Sequence, residues 1–374
     1  YGRNTGFLTY LAFGLLFCTS SLFRKMRSFE GILVALFVTG FLNIVYGFLV
    51  LSGNDIFNWK NPYNRLLGTF GNPNFIGAFL GIFITLCITF VLSNKISKGI
   101  KIFALLQIIL AAILILKSGA LQGVLVSAAG CLLAVYLFLR SRTNSRIVPS
   151  IYLISVAVGA LVALAGILQS GTLAPFLYKP SVSLRGEYWQ AGLNMAKENL
   201  AFGVGLDSYG TYYRQYRDLS ATILPGVNTT TDAAHNVFID IFAGTGIVGL
   251  ISYCGLIAIV LAKSVRILKK SKGFDPVFIS LFLCWSMYVL QSVISINQIG
   301  LAIWGWVLGG CLVGYERMSA SEILQKPQPK NWGRFKKGKS NKQYYMFHGT
   351  NYSKNDVDKL FKFTYFNNHQ ICCF

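Results

Sequence analysis

Long apolar runs separated by short polar stretches dominate the pattern of this sequence. A helix of about 20 apolar residues crosses the core of a bilayer. About nine runs approach that length: residues 7–23, 29–51, 75–92, 100–116, 121–139, 147–168, 237–262, 277–296 and 301–315. Because backbone groups in lipid must bond within their own segment, these runs predict helices. The sequence therefore predicts an all-α fold, a polytopic transmembrane helix bundle.

Composition and charge support this prediction and indicate which side each loop faces. Of the 374 residues, 54% are hydrophobic and 13% are charged, whereas soluble proteins carry about 25% charged residues. Two predicted spans separate each short basic loop from the next, so the loops share one side: residues 24–27, 94–101, 140–146 and 263–272. Lys and Arg mark cytoplasmic loops. The net charge of +21 is thus explained by membrane topology, and no nucleic-acid partner is expected.

The same bias divides the chain into parts. Residues 1–318 form the predicted transmembrane domain, in which residues 168–234 are a long extracytoplasmic segment. Residues 319–374 are a basic cytoplasmic tail that lacks periodicity and is predicted to be mostly disordered. The chain begins at Tyr1 rather than Met, so we expect an N-terminal piece to be missing.

The long extracytoplasmic segment contains two patterned stretches. Residues 185–199 have apolar residues at the spacing of an amphipathic helix, which we expect to lie at the membrane interface. Residues 209–216 are rich in tyrosine, with Arg214 and Arg217 interleaved or adjacent. This second stretch is either an interfacial aromatic belt or a surface on which sugars stack.

Two arginines and one histidine are the candidates for chemistry on the extracytoplasmic side. Arg65 precedes a span, and alone it fits an arginine that reaches toward lipid headgroups. Arg185 lies near Glu187 and alone fits a surface ion pair of little energetic value. His235 is the only histidine before the tail, and Asp232 or Asn236 is placed to cap the helix that follows it. Ionisable residues at a membrane boundary are candidates for function.

Other chemistries lack their motifs. The eight cysteines form no CxxC pair, and the single histidine before the tail has no second imidazole with which to bind a metal ion. Residues 244–249 read GTGIVG, but they lie in an apolar run, where small residues favour close helix packing rather than dinucleotide binding. Arginine forks bind phosphate oxygens, and a neutral imidazole accepts a proton from a hydroxyl. The three residues therefore suit an anionic, lipid-linked substrate.

Three segments resemble the O-antigen ligase and O-antigen polymerase family of bacterial envelope enzymes. The first is RLLGTFGNPN, residues 65–74. The second is RGEYWQAGLNMAKENLAFGVG, residues 185–205, where Ala201 replaces the family's usual proline. The third is His235-Asn236, nine spacer residues, and Gly-x-x-Gly at residues 246–249.

The resemblance implies an all-helical membrane glycosyltransferase whose catalytic residues are Arg65, Arg185 and His235. It implies an undecaprenyl-diphosphate-linked glycan donor, action on the outer face of the bacterial cytoplasmic (inner) membrane, and no metal or other cofactor. The acceptor would be a hydroxyl on a glycan, a lipid or a protein. The candidates for substrate binding are Asn72, Asn74, Trp189, Tyr212, Tyr213, Arg214, Arg217 and Asn236.

A single inverting displacement is our mechanistic hypothesis. The arginines hold the leaving diphosphate, His235 accepts the proton of the acceptor, and Asp232, Glu187 or Asp207 orients the imidazole. The ligase-type histidine signature favours a ligase over a polymerase of the same family. From another class, the alternative is a transporter of a small solute such as inorganic carbon, although the predicted spans contain almost no charge besides Asp240.

Overall fold

The computed structural model describes residues 6–57, 61–271 and 273–325, together with residues 344–347 and 350–353. Nine apolar helices occupy the nine predicted runs: α1 (Phe7–Ser21), α2 (Met26–Leu51), α3 (Pro73–Leu92), α4 (Lys98–Ser118), α5 (Leu121–Arg142), α6 (Ile147–Ile167), α10 (Val237–Lys270), α11 (Pro276–Ser292) and α12 (Ile299–Gln325). Among the described residues, seven of these helices are long and apolar enough to cross a membrane, while α1 and α11 are shorter. The prediction of a polytopic helical bundle is confirmed.

Three further helices form the long segment that is predicted to be extracytoplasmic: α7 (Ala174–Leu177), α8 (Pro180–Glu198) and α9 (Tyr209–Tyr216). Helix α8 is the predicted amphipathic helix, and it begins five residues earlier than expected because Pro180 stands at its first position. Its small or flexible buried residues, such as Ala191, Gly192 and Met195, pack toward α9 and α10. The segment is therefore folded onto the bundle by its own apolar face.

Helix α3 lies at the centre of the bundle and brings its neighbours close. Most of its side chains are buried, and it packs against α2, α4, α5 and α11. At the crossing with α5, a Cβ placed on Gly123 would lie 2.8 Å from the carbonyl carbon of Gly77. Small residues at a helix crossing let two backbones approach closely. This crossing fixes the start of α3 next to the start of α5.

The predicted cytoplasmic loops meet at one end of the bundle. The guanidinium of Arg140 donates to the carbonyl of Leu268 at 3.4 Å, and Lys263 pairs with Glu316 at 2.9 Å. These contacts join the ends of α5, α10 and α12. The long extracytoplasmic segment meets the bundle at the other end, and which membrane side each end faces stays a prediction.

Helix α10 is interrupted at Gly246, where we had expected a continuous span. Gly246 has φ 65° and ψ −162°, a conformation that strongly favours glycine. The connection after α8 docks here through three backbone hydrogen bonds: Val204 N–H to Ala243 O (2.8 Å), Gly205 N–H to Gly244 O (3.0 Å) and Ile247 N–H to Leu200 O (2.8 Å). Unpaired backbone groups cost several kcal/mol in lipid, so this connection satisfies the groups that the break exposes.

The glycines of residues 244–249 thus serve a different purpose from the predicted one. A Cβ on Gly246 would overlap the carbonyl group of Ala201, and one on Gly203 would overlap the carbonyl oxygen of Ala243. The motif accommodates a docked loop rather than a neighbouring helix. As a result, the first turns of α10 form a short separate helix that begins just after His235.

We expect Gly246→Ala to lower the stability of the folded protein by several kcal/mol. The added methyl group would stand at positive φ and against the backbone of Ala201, and both effects are destabilising. Thermal unfolding of the purified protein in detergent measures the loss.

The matched control is Gly255→Ala in the same helix, because nothing lies within 4 Å of a Cβ built there. Alanine forms helix better than glycine by about 1 kcal/mol, so this variant should melt at or above the wild-type temperature. Equal melting of the two variants would contradict the proposed role of the break.

The chain divides into two units, and the second begins at Gln325, six residues after the predicted start of the tail. Its described residues form two antiparallel strands, β1 (Tyr344–Phe347) and β2 (Thr350–Ser353), in which Tyr344 pairs with Ser353. This short hairpin was not predicted, since the sequence there lacks clear alternation. Residues 319–325, which were predicted to belong to the disordered tail, instead continue helix α12. The other residues of the predicted tail lie outside the described residues.

Candidate active site

A polar cavity of about 570 Å³ lies at the end of the bundle that carries helices α7 to α9. Ligand sites of proteins commonly measure about 300–1,000 Å³. The walls come from the connection before α3 and its first residues, the start of α5, helix α8, the end of the connection between α8 and α9, and the start of α9. The connection between α9 and α10 and the connection after α11 complete them. The walls include six of the predicted site residues: Asn72, Asn74, Arg185, Asp207, Asp232 and His235. The fold thus gathers residues that are far apart in the sequence.

His235 occupies a strained backbone position at the start of α10. Its φ is +57°, a left-handed conformation that is uncommon for residues other than glycine. The side chain of Asn236 caps the helix by accepting hydrogen bonds from Phe238 N–H at 3.0 Å and Ile239 N–H at 3.3 Å. Before it, the N–H of Ala234 donates to the carboxylate of Asp240. Contacts on both sides therefore hold the imidazole on the cavity wall.

Arg185 and Tyr188 line the cavity from helix α8, together with His235. They stand three residues apart and so share one face of that helix. The ring of Tyr188 stacks on the imidazole, with centroids 5.5 Å apart and an interplanar angle of 28°. The hydroxyl of Tyr209 donates to the carbonyl of Tyr188 and ties α8 to α9. This packing fixes the wall that carries Arg185.

The guanidinium of Arg185 is half-buried and makes no hydrogen bond or ion pair with any described residue. Burial lowers the pKa of Arg185 from its ordinary value. Arginine nevertheless stays protonated at physiological pH, because its unperturbed pKa lies far above 7. Since an unpaired buried charge is costly, this cation is suited to binding an anion that enters the cavity.

Two carboxylates and two helix N-termini complete the electrostatics of the cavity. Asp207 and Asp232 line it together with His235, whereas Glu187 accepts a hydrogen bond from Ser220 at 2.7 Å and does not line it. Asn72 caps α3 by accepting from Asn74 N–H at 2.8 Å, as Asn236 caps α10. The N-terminus of a helix favours negative charge nearby, so both starts suit a phosphate group.

Arg65 lies beside the cavity rather than in its wall. Its Nη1 donates to the carbonyl of Gly119 at 3.3 Å, and its side chain is exposed. Tyr63, two residues earlier, does line the cavity, and its hydroxyl accepts a hydrogen bond from Asn72 at 3.3 Å. The two predicted arginines therefore stand on different elements, and of the two only Arg185 lines the cavity together with His235.

Five of the residues that were predicted to bind substrate are not among the residues that line the cavity. Tyr213 is fully buried, and Trp189 and Tyr212 pack against the same apolar cluster. Arg217 donates to the carbonyls of Gly226, Val227 and Thr229, so it holds its own loop together. Arg214 is exposed on α9 and is not part of the cavity wall. Trp189, Tyr212, Tyr213 and Arg217 therefore stabilise the folded segment and do not line the cavity.

Several wall residues were missed by sequence reasoning. Gln122 is buried in α5 and donates to the side chain of Gln291 at 3.0 Å. Tyr63, Thr230, Thr231 and Ser295 also line the cavity. A glutamine near the start of an apolar run is a detectable signal, because polar residues inside the membrane are usually functional. The others lie in polar connections, where nothing distinguishes them from ordinary loop residues.

The fold and the cavity define a polytopic membrane protein with a polar site at one end of the bundle. Residues 106–254 match the family model of O-antigen ligase, which confirms the resemblance to this family of glycan-processing enzymes. The matched residues include Arg185 and His235 but not Arg65. Comparison with curated proteins finds no match. Within the described residues no three His, Cys, Asp or Glu side chains are grouped to hold a metal ion, and metal independence stays a prediction.

Proposed function

We propose that this protein transfers a glycan from an undecaprenyl-diphosphate carrier to an acceptor hydroxyl. The observation that carries the proposal is that one polar cavity is lined by His235 and by the half-buried Arg185, which has no ion-pair partner among the described residues. The match of residues 106–254 to the O-antigen ligase model supports the glycan substrate. We place the reaction on the extracytoplasmic face of a bacterial inner membrane, as the basic loops predict.

Arg185 stabilises the leaving diphosphate in this proposal. Charge develops on the phosphate oxygen as the bond to the anomeric carbon breaks, and a fixed cation in a partly desolvated site stabilises it strongly. The N-termini of α3 and α10 add partial positive charge on the same side. The diphosphate departs with the bonding electron pair, and a good leaving group needs no general acid.

His235 acts as the general base. An acceptor hydroxyl attacks the anomeric carbon from the face opposite the diphosphate, forms the new C–O bond, and gives its proton to a ring nitrogen of His235. Asp232 and Asp207 line the same cavity, and either carboxylate can orient the imidazole and stabilise its protonated form. Direct displacement inverts the anomeric configuration.

The acceptor distinguishes two members of this class. A ligase gives the glycan to a final lipid, glycan or protein acceptor, whereas a polymerase gives it to another lipid-linked repeat. We propose a ligase on the basis of the spacing from His235 to the glycines of residues 246–249, with a polymerase as the alternative.

The broken helix α10 is the observation that a transporter would share, because many transporters bind ions at interrupted helices. Here the exposed carbonyls of Ala243 and Gly244 accept hydrogen bonds from Val204 and Gly205. The protein's own connection therefore occupies the positions that an ion would take. This occupancy favours the enzyme over the carrier.

Deletion of the gene should remove polymeric or ligated glycan from the cell surface and leave solute uptake unchanged. Electrophoresis of surface glycan measures the first effect and separates the two acceptors. Loss of a ligase leaves uncapped acceptor, while loss of a polymerase leaves single repeats. Normal glycan with reduced uptake of inorganic carbon would instead establish the transporter.

A further inference from the structure

Two cations meet on one carbonyl oxygen beside the cavity. Arg65 Nη1 donates to Gly119 O at 3.3 Å, and Lys179 Nζ donates to the same oxygen at 2.9 Å. Arg65 belongs to the connection before α3, Gly119 to the turn between α4 and α5, and Lys179 to the start of α8. Three distant parts of the chain thus bring two positive charges together.

Gly119 is fitted to this arrangement. It ends α4 in the left-handed conformation, with φ 64°, and a Cβ on it would lie 2.7 Å from Nη1 of Arg65. Any other residue would therefore strain the turn and displace the guanidinium. The site is built by the backbone and does not depend on two flexible side chains alone.

No carboxylate in the described ranges balances the charges of this pair. Neither Arg65 nor Lys179 forms an ion pair with any residue in the described ranges. Because both donate to one oxygen, their nitrogens lie within about 6 Å of each other, and like charges at this separation repel. Lysine carries three donors and arginine five, so most of their donors remain available for an anion.

The position of the pair relates it to the cavity. Arg65 and the carbonyl that it binds are both close in sequence to residues of the cavity wall. Tyr63 lies two residues before Arg65, and Gln122 lies three residues after Gly119. Lys179 and Arg185 stand six residues apart at the start of α8, which corresponds to about 9 Å along a helix axis. One helix therefore presents a cation beside the cavity and a second cation inside it.

We propose that Arg65 and Lys179 form a phosphate subsite that holds the lipid-side phosphate of the donor, with Lys179 as a binding residue. Arg185 holds the sugar-side phosphate, next to the bond that breaks. This inference rests on the proposed function, because it assigns the second of two linked phosphates. Two linked phosphates account for three cations that form no ion pair within the described ranges.

Binding of carrier lipids to the purified full chain in zwitterionic nanodiscs tests the assignment. The probes are undecaprenyl phosphate, which has only the lipid-side phosphate, and undecaprenyl diphosphate. Lys179→Gln removes the charge but keeps a donor for Gly119, and we expect it to weaken both probes about tenfold. Arg185→Met should weaken only the diphosphate. Lys197→Gln makes the same change at the exposed far end of α8 and should leave both affinities unchanged.

The outcomes distinguish a failure of this inference from a failure of the proposed function on which it rests. If Lys179→Gln binds both probes like wild type while Arg185→Met loses the diphosphate, the subsite is wrong and the proposed function stands. If Lys179→Gln weakens only the diphosphate and Arg185→Met weakens both, the two phosphates are assigned in the wrong order. If Lys179→Gln weakened binding to vesicles of phosphatidylglycerol as much as binding to the carrier lipids, the pair would be a general site for lipid headgroups, and the assignment would be overturned. A wild-type chain that binds neither carrier lipid would overturn the proposed function itself.

Discussion

Replacing His235 with asparagine should reduce glycan transfer by about 10²- to 10⁴-fold, the usual contribution of a general base. Binding of the undecaprenyl-diphosphate donor should change little, because the phosphates are held by other residues. Asparagine is the informative replacement since it tolerates the left-handed backbone that His235 adopts at φ +57°. It also lacks a group that accepts a proton near neutral pH. Single-turnover transfer and donor binding, measured on the same preparation, give the two values.

His235→Ala should also abolish transfer, but alanine at this backbone angle adds strain. A lower melting temperature is therefore expected for the alanine variant than for the asparagine variant. His348→Asn makes the same chemical change in the predicted cytoplasmic tail and should transfer at the wild-type rate. An active His235→Asn protein would remove the histidine from the mechanism.

Replacing Arg185 with methionine should abolish transfer and leave the protein as stable as wild type or more stable. The half-buried guanidinium has no carboxylate partner among the described residues, so the folded state carries a desolvation cost without compensation. Removing that charge should raise the free energy of unfolding, as is common when a residue that serves function rather than stability is replaced. Loss of the diphosphate contact should lower transfer by at least about 10²-fold. Melting temperature and transfer rate are the two measurements.

Arg217→Met provides the matched comparison. This arginine donates to the carbonyls of Gly226, Val227 and Thr229, so its loss should destabilise the loop that leads to Asp232. The two variants should therefore differ in melting temperature. Arg185→Met should melt at or above the wild-type temperature and lose transfer, whereas Arg217→Met should melt at a lower temperature. If Arg185→Met unfolded more readily than Arg217→Met, the assignment of Arg185 as an unpaired anion-binding residue would fail.

The apolar pattern was sufficient to predict the helices but not their interruption. Each of the nine runs became a helix because length and hydropathy alone decide whether a segment can cross a bilayer. The break at Gly246 was missed because its glycines are equally compatible with a continuous helix. Its cause is a set of backbone hydrogen bonds from residues 200–205, more than forty positions away.

The same distinction applies to the site. The cap at Asn236 follows from residue type and position, so it was predictable from the local sequence. The burial of Tyr213 and the partial burial of Trp189 were not predictable. An aromatic side chain in the sequence does not indicate whether its ring faces the protein. The contact of Arg65 and Lys179 through Gly119 joins residues 54 and 60 positions from that carbonyl. Only the folded chain reveals such a pair.

The anomeric configuration of the product is the most direct test of the central claim. The purified chain is incubated with an undecaprenyl-diphosphate-linked glycan of known configuration and an acceptor, in the presence of EDTA. Nuclear magnetic resonance of the new glycosidic bond then gives its configuration. Direct attack by a hydroxyl deprotonated by His235 predicts transfer with complete inversion. Retention of configuration, or transfer that requires a divalent metal, would contradict the account.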